Sequence, residues 1–468
     1  MTLLPTVMKF GGTSVEDTQA FERVRRIVSA RQEMHPVVVV SAMSRVTDAL
    51  LASVHAAANG DTEKALLALD EHYARHETVA RDLLPEEAAN EFRQVLEKAC
   101  HEIAELLQIV AARLMPLPLL QDVIVSYGER LSASLLAYIL RDGGLPAQYV
   151  DARRCITTDE RHGRATPLFA ETARRTSIEL EPLINASLIP VLGGFIAATA
   201  DGATTTLGRN GSDYSAAIFG AVLAAREIQV WTDVAGVLTA DPRLVKTART
   251  VSRLSYAEAA ELAYFGAKVL HPKTIQPAVE RGIPVRICNS RAPDQLGTLI
   301  CAATETLPLA VKAIAHKINV TTIQITSAPM LGADGFLRKL FEIFEQHRTI
   351  VDVVTTSEAS VSLSLADTSA LSLIVRELQQ LGTVRVEDHL ALICVVGEGL
   401  RATPGIAARI FNTISDINIS LISQGASSLN LTFVVDEERV GEAVMRLHEE
   451  FFDEFQVSGQ KSKAMASA

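Results

Sequence analysis

Short apolar runs and amphipathic stretches alternate through the first 300 or so residues. Thr6–Phe10 is an apolar run that ends in Gly11-Gly12. The spacing of apolar positions predicts a helix from about Asp17 to Arg31, and Pro36 opens the run Val37-Val38-Val39-Val40. A β-branched run without polar alternation belongs to a strand covered on both faces, as in a parallel sheet. Strand, glycine turn, helix and buried strand is the βαβ order. Further apolar runs at Asp122–Val125, Ala147–Val150, Leu188–Leu192, Ile228–Trp231 and Val285–Cys288 predict more strands, with helical stretches between them. Residues 61–115 interrupt this order. Leu96, Ile103 and Val110 recur every seven residues and Ala99 and Leu106 fill the same face, which predicts an amphipathic helical insertion.

The last third repeats itself. A shift of 70 residues lays Gly335 on Gly405, Phe341 on Phe411, Val351 on Leu421, Ser357 on Ser427 and Leu363 on Phe433. Each copy predicts a strand, a glycine-opened helix and two strands around a small-residue turn. Two copies are too few, and the period too long, for a solenoid. Two small duplicated βα domains are expected, followed by a polar, disordered tail over 458–468.

The formal net charge of −11 disfavours a nucleic-acid partner. The longest weakly polar stretch, Ala186–Ala200, is broken by Ser187, Pro190, Gly193 and Gly194 and is too short to span a bilayer, so no membrane partner is expected. The N-terminal MTLLPTVMKF lacks the basic region of a secretory signal. Five cysteines (100, 155, 288, 301, 394) form no C-x-x-C pair and read as reduced thiols, which places the chain in the cytoplasm.

Candidate chemistry lies at the ends of the apolar runs. Lys9-Phe10-Gly11-Gly12-Thr13-Ser14 offers a cation, exposed amides and hydroxyls ahead of a helix. That is an anion cradle or an ordinary Gly-Gly turn beside a surface lysine, in equal measure. Ser41-Ala42-Met43-Ser44-Arg45-Val46-Thr47 follows the valine run, where open α/β sheets place ligands, though capping of the next helix explains its hydroxyls as well. Ser126-Tyr127-Gly128-Glu129-Arg130 is expected after a strand, with Glu129 solvated or holding an ammonium. Thr204–Asp213 is the densest polar stretch of its region. There Arg209 offers a planar fork for a carboxylate, and Gly208 and Gly211 allow close backbone approach. Trp231–Arg243 carries Thr232 and Asp233 at a strand end and the turn Asp241-Pro242-Arg243, and Phe265–Pro272 carries a second phosphate-type lysine, Lys268, with His271 as a turn residue.

Two other patterns are set aside. His72 and His76 have the spacing of a metal pair, but Tyr73 stands where H-E-x-x-H needs a glutamate, so a solvated helix face is expected. Gly397-Glu398-Gly399-Leu400-Arg401-Ala402 fits G-x-G-x-x-A, but it lies inside the second repeat and reads as a strand-end turn.

Taken in order, KFGGTS (9–14), VSAMS (40–44), SYGER (126–130), TTTLGRNGSD (204–213), WTDVAGVLTADPR (231–243) and FGAKVLHP (265–272) resemble the aspartate kinases of the amino-acid-kinase superfamily. The resemblance extends over essentially the whole chain, because tandem ACT domains are also a family feature. MLGADGF (330–336) and VDVVTTSE (351–358) resemble the lysine-inhibited, monofunctional type. The resemblance implies a three-layer αβα, carbamate-kinase-like α/β domain over 1–303, then two ferredoxin-like ACT domains over 304–388 and 389–457. It implies phosphorylation of the L-aspartate β-carboxylate by ATP with Mg²⁺ carried on the ATP phosphates. Mapped by motif, Lys9, Asp213 and Lys268 would act on the transferring phosphoryl group. Ser41, Thr47, Glu129, Arg209, Gly211 and Ser212 would hold aspartate. Lys9, Gly11, Gly12, Thr13, Ser14, Thr232, Asp233, Leu238, Arg243, Lys268 and Val269 would line the nucleotide. Met330, Gly335, Phe336, Leu337, Val351, Asp352, Ser357 and Glu358 would receive lysine as allosteric inhibitor. Asp352 and Glu358 could answer the two ammonium groups of lysine, whereas the second repeat has Ile422 and Ser428 at those places and is expected to pair with the first across a dimer or dimer of dimers. Three departures stand out: Asn210 where the GRGGSD form has glycine, Leu238 where relatives carry a tyrosine, and Ala333 for a serine. A degenerate amino-acid sensor and a kinase of the same fold with another acceptor are the competing readings.

Overall fold

The computed structural model describes residues 4–266, 272–302, 311–326 and 335–453. They form two compact units. The first holds the described part of 1–237, 252–256 and 269–303, and the second the described part of 238–251, 257–268 and 304–468. The single linear boundary expected near 303 therefore does not describe the grouping. Segments 238–251 and 257–268 pack with the C-terminal residues.

The strands of the first unit are β1 (Thr6–Phe10), β2 (Pro36–Val40), β3 (Ala147–Val150), β4 (Ile189–Gly193), β5 (Ile196–Ala198), β6 (Thr204–Thr206), β7 (Glu227–Thr232), β8 (Arg253–Ser255), β9 (Val285–Asn289) and β10 (Thr298–Cys301). Its principal helices are α1 (Thr18–Ser29), α2 (Val46–Ala58), α3 (Thr62–Leu83), α4 (Glu86–Ala111), α5 (Leu117–Asp142), α6 (Phe169–Asn185) and α7 (Gly211–Val222). Eight strands make one sheet in the order β3-β4-β2-β1-β7-β9-β10-β8, while β5 and β6 form a separate hairpin. The central strands are parallel and buried at every position of β1 and β2, as their unbroken apolar runs require. Strand alternation then sorts the two faces. Met8, Phe10, Val38 and Val40 join a core built with α1 to α5. Lys9, one residue out of phase with them, faces the other side, where α7 packs on β1 and β7.

The structure corrects one expected strand. Asp122–Val125 lies inside α5, and so does the whole SYGER segment. This helix is buried nearly all round, so its apolar positions show no period, and a four-residue window cannot separate it from a buried strand. It is also long and apolar enough to cross a membrane, but 78% of that window is buried within the protein. Residues 61–115 do form helices, α3 and α4, and Leu96, Ile103 and Val110 join the main core rather than a satellite.

His76 departs from the solvated face expected of it. It is 1% exposed, its Nδ1 lies 2.7 Å from the His72 carbonyl oxygen, and its Nε2 has no hydrogen-bond partner among the described residues. Burial pushes its pKa down to about 4. A base depressed in the folded state costs nothing above its unfolded pKa of ~6.5 and destabilises the fold as pH falls from there towards about 4. Wild type should lose about 2–3 kcal/mol more than His76→Gln across that interval. Urea midpoints measured against pH check this, and parallel curves for the two proteins would remove His76 as the source.

The second unit has α8 (Tyr256–Tyr264), of which 257–264 belong here, and a short α9 (Gln276–Glu280) lies in the chain between it and the repeats. The repeats contribute β11 (Ala313–Thr326), α10 (Phe336–Gln346), β12 (Val353–Thr356), β13 (Ser360–Leu365), α11 (Leu371–Leu378), β14 (Thr383–Val396), α12 (Ile406–Thr413), β15 (Leu421–Gln424), β16 (Asn430–Asp436) and α13 (Val440–His448). All six strands share one antiparallel sheet, β12-β13-β11-β14-β16-β15. The two long strands serve both repeats. Ile323 and Ile325 of β11 enter the core under α10 and α11, whereas Ile314 enters the core of the second repeat with Ile393 and Val395 of β14. Asn319 and His389 take positive φ (56° and 55°), and the β11–β14 register shifts between Lys317 and Thr322. The two repeats are thus joined within one chain, the first set into the second, and 313–317 lies with the second repeat although it precedes 388 in sequence. The G-x-G-x-x-A segment is a turn, with Gly399 at φ 77° before a single 3-10 turn, as expected.

Candidate active site

A cleft of about 640 Å³ opens in the first unit. Its walls come from the carboxyl ends of β1 and β2, from the middle of α5, and from the loop that starts α7. Of the residues expected to bind substrate, Lys9, Gly12, Ser41, Thr47, Glu129, Arg209, Gly211, Ser212 and Asp213 all line it.

The register of β1 carries Lys9 to the first turn of α7, where its Nζ lies 2.7 Å from Asp213 Oδ1. The contact is an ion pair rather than an aligned hydrogen bond, since that oxygen has no bond of good geometry. Asn210 opens α7 in the left-handed region at φ 59°. Asparagine tolerates that conformation, so it serves at the place where the resemblance led to the expectation of glycine. The helix terminus adds positive potential beside Lys9.

Across the cleft, Glu129 is buried in α5. The backbone N–H of Ala42 is among its partners, but Oε2 has none. Burial pushes its pKa up to about 8. Gly128 makes room for this arrangement. A Cβ there would stand 2.8 Å from the Ala42 side chain and displace the loop that donates to Glu129. The same loop is tied by Ser132 Oγ to the Ser41 carbonyl oxygen at 2.6 Å.

The glycine-rich loop is less open than its sequence suggested. The Gly11 N–H donates to the Trp231 carbonyl oxygen at 3.2 Å. The Ser14 hydroxyl is buried and lies 3.1 Å from Ser290 Oγ. Both residues fasten the loop to its neighbours, while Gly12 faces the cleft and Thr13 is half-buried beside it. Thr232 ends β7, next to β1, and Asp233 follows it, exposed. Leu238 and Arg243 belong to the second unit, where Leu238 bridges Thr250 and Arg243 pairs with Asp241 at 2.6 Å. Lys268, Val269 and His271 lie outside the described residues, as do Met330 and Ala333.

Among the cleft residues to which sequence reasoning gave no role of their own are Arg45, Asp48, Asp122 and Phe195. Asp122 is 1% exposed and accepts from Thr206 Oγ1 (2.6 Å) and the Gly163 N–H (3.0 Å), with His162 Nδ1 at 2.8 Å. It fastens the 159–166 loop to α5 and β6. A lone acid inside an apolar run was its visible signal. Arg45 and Phe195 take left-handed φ of 69° and 65°, for which their residue types give no hint.

In the second unit, Asp352 is nearly buried and Lys317 Nζ contacts both its oxygens, at 3.0 and 2.9 Å. Tyr264 OH adds a contact at 3.3 Å. Gly335 opens α10 at φ 87°, Phe336 is buried, and Leu337 and Glu358 are exposed. Val351 is half-buried and Ser357 bonds Ser360 across the turn. Gly266, which leads into the 267–271 segment, presses on β11: a Cβ would fall 2.3 Å from the His316 carbonyl oxygen. Glu258 and Lys312 form a buried ion pair at 2.9 Å between α8 and the residue before β11.

The sequence model of the amino acid kinase family matches residues 5–289, and an ACT domain model matches 393–451. Over 455 residues the chain is 38% identical to lysine-sensitive aspartokinase 3 of Escherichia coli (strain K12), covering 96% of this chain and 99% of the relative. It is 37% identical over 470 residues to the chloroplastic aspartokinase 3 of Arabidopsis thaliana, covering 96% and 82%. Among solved structures it is similar to E. coli aspartokinase III in complex with aspartate and ADP (R-state), with a TM-score of 0.78 and 38% identity over 96% of this chain and 100% of that one. The same enzyme in complex with lysine and aspartate (T-state) gives 0.81 at 38% identity over 96% and 99%. Aspartate kinase from Clostridium acetobutylicum gives 0.83 at 27% identity over 95% and 100%.

Proposed function

The chain belongs to the amino acid kinase family as an aspartate kinase, and from that premise we propose how its own residues perform and regulate the reaction. The enzyme transfers the γ-phosphoryl group of ATP to the β-carboxylate of L-aspartate, the first step towards lysine, threonine and methionine, and is inhibited by lysine. One observation carries the assignment of roles. A buried carboxyl with an unpartnered oxygen, a guanidinium and a lysine at a helix N-terminus line one cleft.

Glu129 takes the α-ammonium of aspartate and Arg209 its α-carboxylate, while Ser41, Thr47, Gly211 and Ser212 complete the contacts. This leaves the β-carboxylate turned towards Lys9. A β-carboxylate oxygen attacks the γ-phosphorus as the bond to the β,γ-bridging oxygen breaks, and ADP departs. The nucleophile is already deprotonated, so no general base is needed. Catalysis rests on positioning and on neutralising the charge of the transferring group. Lys9 and the first turn of α7 supply that neutralisation, with Gly12 and Thr13 on the phosphates and Asp213 orienting Lys9. Lys268, Val269, Thr232, Asp233, Leu238 and Arg243 are assigned to the nucleotide by motif alone. Mg²⁺ would arrive on the ATP phosphates and neutralise charge there, and Asp213 is a carboxylate of the kind that faces such an ion. ADP release measured with aspartate, with glutamate and without acceptor, each with and without lysine, tests the reading. Activity with glutamate but not aspartate would overturn it.

For regulation, Asp352 receives one ammonium of lysine in exchange for the resident Lys317, and Glu358 approaches the other. Asp352→Asn should raise the half-inhibitory lysine concentration by about 5–150-fold, the span of ordinary allosteric coupling. An unchanged inhibition curve would remove Asp352 from the effector site. Exposed Leu337, Phe341 and Ile350 on the first repeat support a dimer through the ACT domains. None of the five cysteines, all of them described, is in a disulfide, which supports a cytoplasmic, reducing location.

A further inference from the structure

The helical insertion of 61–115 has no part in the chemistry described above, yet one of its side chains reaches two of the loops that build the cleft. Arg75 of α3 is half-buried. Its Nη2 donates to the Glu16 carbonyl oxygen at 2.8 Å, at the end of the glycine-rich loop. Its Nη1 donates to the Ser44 carbonyl oxygen at 2.9 Å, in the loop after β2. Nη1 also lies 3.2 Å from His72 Nδ1. Arginine has no acceptor atom, so this contact requires a neutral His72 that accepts at Nδ1 and carries its proton on Nε2.

The two loops already touch. The Ser44 N–H donates to the Gly12 carbonyl oxygen at 3.2 Å, and a Cβ on Gly12 would stand 3.0 Å from the Ala42 carbonyl oxygen. Arg75 closes a second link behind that one. The peptide it holds at Ser44 leads directly into Arg45, whose left-handed φ of 69° is unfavourable for a side-chain-bearing residue. That turn in the chain starts α2 and brings Thr47 to the cleft. Loops held by a few carbonyl bonds drift when those bonds are lost, and a misplacement of about 1 Å between reactants can cost ~10²-fold in rate. A planar fork can hold two carbonyls in fixed directions, which a single ammonium cannot do.

We infer that Arg75 is a positioning residue. From the insertion it clasps the phosphate-side loop at Glu16 and the acceptor-side loop at Ser44, and so sets the separation at which nucleotide and aspartate meet. The inference rests on the aspartate-kinase reading of the cleft and gives the insertion a role in it.

The test uses the whole chain with Arg75→Met, Arg75→Lys and Arg75→Ala. For Arg75→Met the clasp requires a ~10–100-fold fall in kcat, with smaller changes in both KM values and a melting temperature close to wild type. Amide hydrogen exchange should quicken in residues 11–17 and 41–47 together. Arg75→Lys should fall between the two proteins. Guanidinium at tens of millimolar should restore part of the turnover of Arg75→Ala while leaving wild type unimproved. Unchanged kcat in Arg75→Met, full activity in Arg75→Lys, or faster exchange in only one loop would each overturn the clasp. A lower melting temperature with normal kcat per folded molecule would reduce Arg75 to a structural residue and overturn it as well. Wild type run in the same assay keeps the outcomes separate. If it releases no ADP with aspartate, the reading of the cleft has failed, and the exchange data alone decide the clasp.

Discussion

Lys9→Ala lowers kcat for aspartate phosphorylation by ~10²-fold or more, the effect of removing one well-placed donor to a transition-state oxyanion, about 3 kcal/mol. The reason is local. β1 delivers Lys9 to the N-terminus of α7, where it sits 2.7 Å from Asp213. Without the ammonium, the Asp213 carboxylate keeps its charge and repels the incoming phosphates. Two effects therefore add: lost neutralisation of the moving phosphoryl group and a new unpaired anion beside it. The loss should fall mainly on kcat, because the charge on the transferring oxygens changes most in the transition state. Lys9→Arg should recover little, since the wall of the cleft is fitted to a compact point charge. Steady-state kinetics with both substrates varied decide the matter, and near-normal turnover in Lys9→Ala would falsify the assignment of Lys9.

Glu129→Gln raises the KM for aspartate by ~10²–10³-fold, the consequence of removing one member of a buried charge pair at about 3–5 kcal/mol. Its pH signature distinguishes it from a general loss of structure. Burial holds the carboxyl of the free enzyme at a pKa of about 8, so at pH 7 most molecules carry it protonated. The ammonium of aspartate favours the ionised form, and binding at pH 7 should therefore release close to one proton. The sign follows directly. Apparent affinity rises as pH increases towards about 8, because less work is needed to ionise Glu129, and it levels above that value. Titration calorimetry in buffers of different ionisation enthalpy counts the proton. Glu129→Gln should show no release and no rise. A wild-type enzyme that binds aspartate without releasing a proton would contradict the role.

How much of this was legible beforehand differed by element. β1 and β2 could be placed to the residue, because a run of valines between a proline and a serine has one comfortable environment. α5 could not, although it carries Glu129, the acid proposed to take the ammonium. Its burial on every side erases the periodicity by which helices are recognised, and so the segment around Glu129 read as a strand end. His76 was misplaced for the converse reason. A histidine among charged neighbours gave no sign that its face of α3 turns inward. In the repeats the duplication was visible, but the sharing of β11 and β14 between them was not. That depends on left-handed kinks at Asn319 and His389, residue types that also occur in ordinary turns.

The linear chain by itself determined the residue types at the six motifs, the unbroken apolar runs that bury β1 and β2, and the duplication of the last third. The first two are local properties, set by side-chain chemistry and by runs of a few residues, and the third is a shift of 70 residues read along the chain itself. Only the tertiary structure decided that Lys9 meets Asp213, that Glu129 lies buried with one oxygen unpartnered, that the Gly11 and Ser14 donors are already engaged, and that Arg75 joins two loops from a third element. Each of these relations spans between 31 and 276 residues of chain or depends on what covers a group from outside its own segment. Desolvation and close approach are properties of the packed surroundings, and no window along the sequence contains them.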